Sequence, residues 1–292
     1  MIDNLINSIS KVVIGNKDKI KLVLASIISE GSILIEDYPG TGKTTLAKAI
    51  TESLNLDFRR VQFTSDLLPS DILGFNMYKG TKPFFQKGPI FTNIVLADEL
   101  NRGSPKSQSA FMEAMEEKSV TIDGNTYELP APFFVIATQN PMDTAGTSLL
   151  PDSQLDRFMV SFSLSDLDDA DKIKMLKNKE KISKTNQKLN LKKLKESKEK
   201  INVADTIFNY LIEIEKKTKE LNQNIHLSAR CLKQIIDLSK GWAVINEKDY
   251  VTHQDVKDLL PYVLRHRINF LKPEEKIDFI NSEILSKINV EK

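Results

Sequence analysis

The stretch DYPGTGKTTLAKAI, residues 37–50, decides the fold of this 292-residue chain. It follows the apolar run Ser32–Glu36, and its second half has the composition of a helix. A strand, a glycine-rich loop and a helix therefore succeed one another, which is the context that a phosphate-binding loop requires. Gly40 and Gly42 allow successive backbone N–H groups to converge on phosphate oxygens at the positive end of the helix. The stretch predicts a nucleotide site.

The side chains of this loop indicate which nucleotide chemistry to expect. Lys43 is placed to reach the β and γ phosphates, and Thr44 to offer its hydroxyl to Mg²⁺. Asp37 stands where the pattern has its first glycine, and we expect it to be tolerated because aspartate adopts left-handed backbone more readily than most residues. A glycine turn that binds nothing is the alternative. The predicted nucleotide contacts in the loop are Asp37, Tyr38, Pro39, Gly40, Thr41, Gly42, Lys43, Thr44 and Thr45.

Short β-rich runs alternate with helical stretches on both sides of the loop. Most of these runs are continuously apolar, as in strands that are covered on both faces of a parallel sheet. The pattern predicts an α/β fold with a parallel sheet flanked by helices. The predicted strands are SILIE (32–36), RRVQFT (59–64), NIVLADE (93–99), FFVIATQN (133–140) and MVSFSLS (159–165).

Two of these strands end in polar residues suited to ATP hydrolysis. The carboxyl ends of parallel strands meet at the edge where ligands bind. Asp98 at this edge would hold Mg²⁺ through water, and Glu99 would polarise the attacking water. Asn140 would orient the same water by a neutral hydrogen bond. Ordinary solvated or capped strand ends are the alternative for all three.

The composition changes near residue 166, where strands disappear and a lysine-dense helical run begins. We expect a nucleotide-binding core domain at 1–165 and an all-helical domain at 166–292. An opening helix is predicted over 3–15, and a β-hairpin around Gly124 and Asn125 in SVTIDGNTYELP. The stretch 66–91, rich in proline and glycine, interrupts the alternation. The later helices are predicted over 171–184, 203–221, 228–245, 252–268 and 273–288.

Composition excludes several classes of function. The 41 basic and 40 acidic residues almost cancel, so no overall field attracts nucleic acid or an anionic membrane. Cys231 is the only cysteine, which excludes a disulfide within the chain and favours a buried apolar role. His226, His253 and His266 lack the spacing of metal ligands, and surface or capping roles are expected. No apolar run is long enough to span a bilayer, so we expect a cytoplasmic protein without membrane insertion.

Together these motifs resemble the MoxR-type AAA+ ATPases, over nearly the whole chain. The matching stretches are EDYPGTGKTTLAKAI, RVQFTSDLLPSDILG, KGPIFTNIVLADELNRGSPKSQSAFMEAMEE, FFVIATQNP and LLPDSQLDRF, in the order and spacing of that family. The resemblance implies an AAA+ P-loop core with a small helical lid, ATP and Mg²⁺ as cofactors, and aspartate as a common residue at position 37.

The resemblance also assigns roles to individual residues. Glu99 becomes the catalytic glutamate that polarises the attacking water. Asn140 becomes the first sensor, and Thr44 and Asp98 become the residues that hold Mg²⁺. Arg157 in QLDRF resembles the arginine finger that reaches into the site of a neighbouring subunit, and Arg230 in LSARC resembles the second sensor on the lid. The alternatives are a salt bridge from Arg157 to Asp156 and a plain surface charge for Arg230. Arg102 is a further candidate for action between subunits.

The function implied by the resemblance is a chaperone-like motor. Its subunits form a ring, typically a hexamer, and remodel or activate protein clients that often carry a von Willebrand factor A domain. The two interrupting stretches, 66–91 and 119–130, resemble inserts that engage clients. Rival interpretations are a metal-insertion motor like the small subunit of magnesium chelatase, a small-molecule kinase or GTPase, and an ATP-binding scaffold that never turns over.

Overall fold

A five-stranded parallel sheet forms the centre of the chain. The computed structural model describes residues 2–38, 40–140, 150–164, 167–177, 190–221, 225, 227–273 and 275–288. The strands of the sheet lie within three residues of their predicted bounds, because continuous apolar runs identify doubly covered strands well. They are β1 (Ser32–Glu36), β2 (Phe58–Gln62), β5 (Ile94–Asp98), β8 (Phe134–Gln139) and β9 (Phe158–Phe162).

The order of the strands across this sheet is β2, β5, β8, β1, β9, and every neighbouring pair is parallel. After β1 the chain crosses to the far edge at β2, whereas β9 lies on the other side of β1. The direction of winding therefore reverses beside β1. In open parallel sheets, ligands bind outside the carboxyl ends of the strands at such a reversal.

Each face of the sheet has its own apolar core. Ile33 and Ile35 of β1 point into one core, and Leu34 points into the other. The first core runs without a break from the amino-terminal helices through the sheet to the lid helices, and it includes Ile20, Ile235 and Leu260. The helices after β9 are thus packed onto the sheet and the amino-terminal helices by shared apolar burial. The predicted domain boundary at 165 and 166 lies outside the described residues and stays a prediction.

Helices cover both faces of the sheet and form the lid. The helices up to β9 are α1 (Ile2–Ser10), α2 (Lys17–Ile28), α3 (Lys43–Leu54), α4 (Pro69–Leu73), α5 (Pro105–Glu117) and α6 (Asp152–Leu155). The later helices are α7 (Asp169–Lys177), α8 (Leu191–Glu199), α9 (Asp205–Leu221), α10 (Ala229–Ile245), α11 (His253–Leu264) and α12 (Lys276–Phe279). Apart from an isolated bridge between Asn202 and Tyr250, the described part of the chain after residue 167 is helical or irregular.

Two helix predictions were wrong in detail. The opening helix ends at Ser10 rather than 15, and α2 was not recognised. Every residue from Leu22 to Ile28 of α2 is buried, so the stretch lacks the amphipathic period that marks a surface helix. The last predicted helix is interrupted, because α12 continues into a π turn, Ile280–Ile284, and a 3-10 turn, Leu285–Lys287.

Two β-hairpins project from the core. The predicted hairpin is present as β6 (Ser119–Ile122) and β7 (Asn125–Glu128), but its turn residues are Asp123 and Gly124, and Asn125 pairs with Ile122. Both turn residues have positive φ, of 49° and 80°, as a type I′ turn demands. The second hairpin, β3 (Gly74–Lys79) and β4 (Lys82–Lys87), was not predicted as strands, because the prolines and glycines around it resemble a loop.

Cys231 and His266 are both buried in the lid. Cys231 is fully buried and burial raises the pKa of its thiol to about 11, so the predicted apolar role is confirmed. His266 was expected in a surface or capping role, and a surface role is wrong, because it is 1% exposed and its Nε2 lies 3.0 Å from the carbonyl oxygen of Phe158. Burial lowers the pKa of His266 well below its usual range. His226 lies outside the described residues.

Among the helices described, none is long and apolar enough to cross a membrane.

Candidate functional site

The loop between β1 and α3 has the backbone of a phosphate cradle. Gly40 and Gly42 have φ of 86° and 93°, in the left-handed region that favours glycine. A Cβ built at either glycine would meet no atom within 4 Å, so the backbone faces open space. Gly42 is the N-cap of α3, whose first-turn N–H groups point toward that space. A phosphate group fits this cradle.

Lys43 bends back over the loop. Its Nζ donates hydrogen bonds to the carbonyl oxygens of Asp37, at 3.1 Å, and Tyr38, at 2.6 Å. Burial lowers the pKa of Lys43, and the nearby carboxylates, first that of Asp37 and then those of Asp98 and Glu99, oppose this shift. Both acceptors are neutral carbonyls, so a phosphate would offer the ammonium a stronger, charge-assisted hydrogen bond at the same place.

Asp37 stabilises the loop by a different means from the one expected. It is not among the residues with positive φ, so the left-handed explanation is wrong. Its carboxylate is buried and accepts hydrogen bonds from the backbone N–H groups of Tyr38, at 2.9 Å, and Leu164, at 2.8 Å. Leu164 is the second residue after β9. Aspartate at this position therefore ties the loop to the neighbouring strand, a bond that glycine could not form.

The acid pair at the end of β5 is held by the neighbouring strand β8. Thr138 Oγ1 donates a hydrogen bond to Asp98 Oδ1, at 2.6 Å. Thr138 Oγ1 also accepts a hydrogen bond from the backbone N–H of Glu99, at 2.9 Å. Glu99 has φ of 54°, an uncommon value for a residue other than glycine. Its Oε2 accepts from Gln62 Nε2, at 3.0 Å, and lies 3.2 Å from Arg102 Nε. The pair is thus presented rigidly at the edge of the sheet.

The loop, the acid pair and the end of β8 surround one cleft. Its volume is about 380 Å³, within the usual range for small-molecule sites. It is lined by Asp37, Gly40, Thr41, Gly42, Lys43, Thr44, Thr45, Arg60, Asp98, Glu99, Thr138, Gln139 and Asn140. Ten predicted residues are therefore brought together. Tyr38, Arg157 and Arg230 do not line this cleft, and Pro39 lies outside the described residues.

The cleft fits Mg²⁺ that arrives with a nucleotide. Thr44 and Asp98 both line it and supply the oxygen ligands that Mg²⁺ prefers. Among the described residues, no group of three or more histidine, cysteine or acidic side chains could hold a metal unaided. Mg²⁺ is commonly bound by one or two protein oxygens together with substrate phosphates, and this donor set matches that arrangement.

Comparison with known proteins identifies the family. The model for the ATPase family associated with various cellular activities (AAA) matches residues 32–160, and that for the AAA lid domain matches residues 219–288. Chaperone MoxR1 of Mycobacterium tuberculosis is 30% identical, over 97% of this chain and 79% of that protein. This chain belongs to the MoxR family of AAA+ ATPases.

Two further relatives also match almost the whole chain. The uncharacterized protein YeaC of Bacillus subtilis is 39% identical, over 96% of this chain and 90% of that protein. The crystal structure of a candidate ATPase from Cytophaga hutchinsonii matches with a TM-score of 0.84 and 33% identity, over 100% of this chain and 95% of that one. The core and lid therefore have the AAA+ arrangement.

In this MoxR-family chain, both arginines to which the resemblance assigns a role contact helix α5. Arg157 donates from Nη1 to the carbonyl oxygen of Met112, at 2.7 Å, and its Nε is buried without a hydrogen-bond partner in the described part of the chain. Arg230 Nη2 lies 2.6 Å from Glu116 Oε1, one turn further along α5. Both arginines lie outside the cleft of their own chain. Their roles stay predictions.

The alternative partner of Arg157 is engaged elsewhere. Asp156 accepts from Arg267 Nε, at 3.0 Å, and from Ser228 Oγ, at 2.7 Å. Ser228 also caps α10 by accepting the N–H of Cys231. The carboxylate considered as the alternative partner of Arg157 instead joins the end of α6 to the lid.

Sequence reasoning missed several polar residues around the cleft. Arg60, Thr138 and Gln139 line it, and Gln62 contacts Glu99. Gln62, Thr138 and Gln139 gave a signal by their place at the carboxyl ends of β2 and β8, whereas Arg60 lies in the middle of β2 and gave none. Glu36 was also missed. It is buried at the end of β1, accepts from Gln139 Nε2, at 2.8 Å, and Ser161 Oγ, at 2.7 Å, and its Oε2 lies 3.4 Å from Arg265 Nε in the lid.

The buried ion pair between Asp156 and Arg267 gives a test of how the lid is held. The side chain of Arg267 is 4% exposed and also donates to the carbonyl of Phe158 and to Gln234. We expect Arg267→Met to lower the free energy of unfolding by about 3 kcal/mol, because it removes a buried cation that pairs with the partly buried Asp156 carboxylate and takes away these donors. Urea denaturation measures this difference.

An exposed ion pair supplies the control for this prediction. Lys219 and Glu215 lie 2.6 Å apart on α9, with 52% and 20% of their side chains exposed. Lys219→Met removes the same charge at the surface and should cost less than about 1 kcal/mol. Similar losses for the two variants would contradict the structural role assigned to Arg267.

Proposed function

We propose that this chain hydrolyses Mg-ATP as one subunit of a homo-oligomeric ring and uses the energy to remodel a protein client. One observation carries the proposal. The cleft assembles the phosphate loop, Asp98, Glu99 and Asn140, while Arg157 lies outside the cleft of its own chain. Because the arginine that the family resemblance assigns to the transition state lies outside the cleft of its own chain, the cleft of a neighbouring subunit is favoured as its place of action.

The residues of the cleft have complementary roles in this reaction. The loop and Lys43 bind the β and γ phosphates, and Thr44 and Asp98 hold Mg²⁺, which supplies charge neutralisation on the phosphates when bound. Glu99 accepts the proton of the attacking water, and Asn140 orients that water. Arg157 of a neighbouring subunit would neutralise charge that develops in the transition state.

The two hairpins support action on a protein. Phe75, Tyr78 and Phe84 on β3 and β4 are more than two-fifths exposed. Phe85 of β4 stacks on Tyr127 of β7 with ring centroids 4.1 Å apart, so the hairpins form one continuous surface. We propose that this surface contacts the client, and that the client carries a von Willebrand factor A domain in another chain. The relative named chaperone MoxR1 supports a role in remodelling.

ATP turnover per subunit, measured over a wide range of protein concentration, tests the proposal. Light scattering at each concentration reports the particle mass. We expect specific activity to rise as oligomers form, with hexamers at the plateau, because Arg157 acts only across an interface.

Lys43→Ala should abolish nucleotide binding and all turnover, since it removes the cation that holds the phosphates.

Two results would contradict this function. Equal specific activity from monomers and oligomers would exclude catalysis at subunit interfaces. ATP binding without turnover in the assembled state would instead favour a scaffold that never hydrolyses its nucleotide.

A further inference from the structure

Both carboxylate oxygens of Asp98 have partners within the chain. Oδ1 accepts from Thr138 Oγ1, at 2.6 Å. Oδ2 accepts from two donors of Arg60, Nε at 3.0 Å and Nη2 at 2.5 Å. The charge of the residue assigned to Mg²⁺ is thus neutralised by a guanidinium of the same chain.

The backbone aims Arg60 into the cleft. In the parallel register Arg60 lies beside Leu96, and Gln62 lies beside Asp98, so the side chain of Arg60 extends along β2 to reach the carboxylate. Arg60 lines the cleft with Lys43 and Thr44. Arg59 precedes it on the same strand, and alternation along a strand directs its side chain to the opposite face. Arg59 does not line this cleft.

Arg60 also connects the two acids. Its Nη2 donates to Gln62 Oε1, at 2.5 Å, and Gln62 Nε2 donates to Glu99 Oε2, at 3.0 Å. About half of the Arg60 side chain is exposed, so it can leave Asp98 without being buried elsewhere. The guanidinium of Arg60 is therefore hydrogen-bonded directly to Asp98 and, through Gln62, is linked to Glu99.

Magnesium and Arg60 compete for the same oxygen. Oδ1 of Asp98 is engaged by a buried hydroxyl, so Oδ2 is the oxygen left to face a hydrated Mg²⁺. Mg²⁺ requires near-octahedral oxygen coordination and keeps its waters tightly. A guanidinium cannot serve as one of those ligands, because it has donors and no acceptor. Two cations a few ångströms apart also repel.

We propose that Arg60 is an internal counter-ion of the acid pair, which Mg²⁺ displaces from Asp98 when Mg-ATP binds. This inference rests on the proposed nucleotide function of the cleft. Arg60 keeps the acid pair ordered and raises the Mg²⁺ concentration that the binding of Mg-ATP requires. The ion pair between Arg60 and Asp98 thereby sets the Mg²⁺ concentration at which the nucleotide binds.

A magnesium titration of nucleotide binding tests this role without turnover. The probe is a fluorescent ATP analogue at fixed concentration, with Mg²⁺ raised from an EDTA-buffered baseline. We expect Arg60→Gln to lower the Mg²⁺ concentration at half-maximal binding about two- to fivefold, the effect of removing a partly exposed ion pair. Arg60→Lys keeps the positive charge but loses the two guanidinium donors that contact Asp98. Its Mg²⁺ concentration at half-maximal binding should lie between those of the wild type and Arg60→Gln.

Arg59→Gln is the matched control, because it removes the same charge from the neighbouring position of β2 and should leave the midpoint unchanged. An unchanged or raised midpoint in Arg60→Gln would overturn the proposal. Weaker binding of Arg60→Gln at every Mg²⁺ concentration would also overturn it, by making Arg60 a ligand of the nucleotide itself. Absence of nucleotide binding by the wild-type chain would overturn the proposed function together with this inference. Thermal melting of each variant confirms that it is folded.

Discussion

Arg157→Ala should reduce ATP turnover by the assembled ring about 10³-fold or more while leaving nucleotide binding within a few-fold of wild type. Arginine fingers are worth about 10³ to 10⁵ in rate, because they neutralise charge that develops only in the transition state. Because that charge is absent from the ground state, the loss of Arg157 should disturb the bound nucleotide little. Turnover and equilibrium binding of a fluorescent ATP analogue, measured at one protein concentration, separate the two effects.

A mixing experiment shows whether Arg157 acts between subunits. Arg157→Ala chains keep Glu99, and Glu99→Gln chains keep Arg157, so a site at the junction of the two has both residues. In an equimolar ring with head-to-tail interfaces, about a quarter of the sites are complete. Turnover should therefore return to about a quarter of the wild-type value. No recovery at any mixing ratio would place the action of Arg157 within its own chain or in folding alone.

Glu99→Gln should lower turnover about 10²- to 10⁴-fold with nucleotide affinity almost unchanged. A positioned general base typically contributes a factor of this size, and an amide cannot accept the proton of the attacking water. The substitution preserves shape, so the contact with Gln62 Nε2 at 3.0 Å can persist through the amide oxygen. Single-turnover hydrolysis of pre-bound ATP measures the chemical step directly.

Glu52→Gln provides the control for this variant. Glu52 is exposed on α3, does not line the cleft, and carries the same charge. Its variant should hydrolyse ATP at the wild-type rate. Retained turnover in Glu99→Gln would remove Glu99 from the chemical step and leave Asp98 or a group from a neighbour as the base.

The sequence by itself determined the fold class, the order of the strands along the chain, and most of the cleft. Local patterns carry this information. Continuous apolar runs identify strands that are covered on both faces, and Gly40 and Gly42 identify a loop that needs left-handed backbone. Polar strand ends such as Asp98 and Asn140 converge whenever parallel strands are neighbours, so the chemistry of the cleft follows from local order.

The tertiary structure alone decided which side chains pair with which. Asp37 supports the loop through the N–H of Leu164, and Asp156 binds Arg267 rather than its neighbour Arg157. These partners lie 127 and 111 residues apart in sequence, and no local pattern encodes such a distance. Likewise α2 was missed because its burial on all sides arises only when the lid packs against it. Arg60 became visible only once the parallel register brought β2 beside β5.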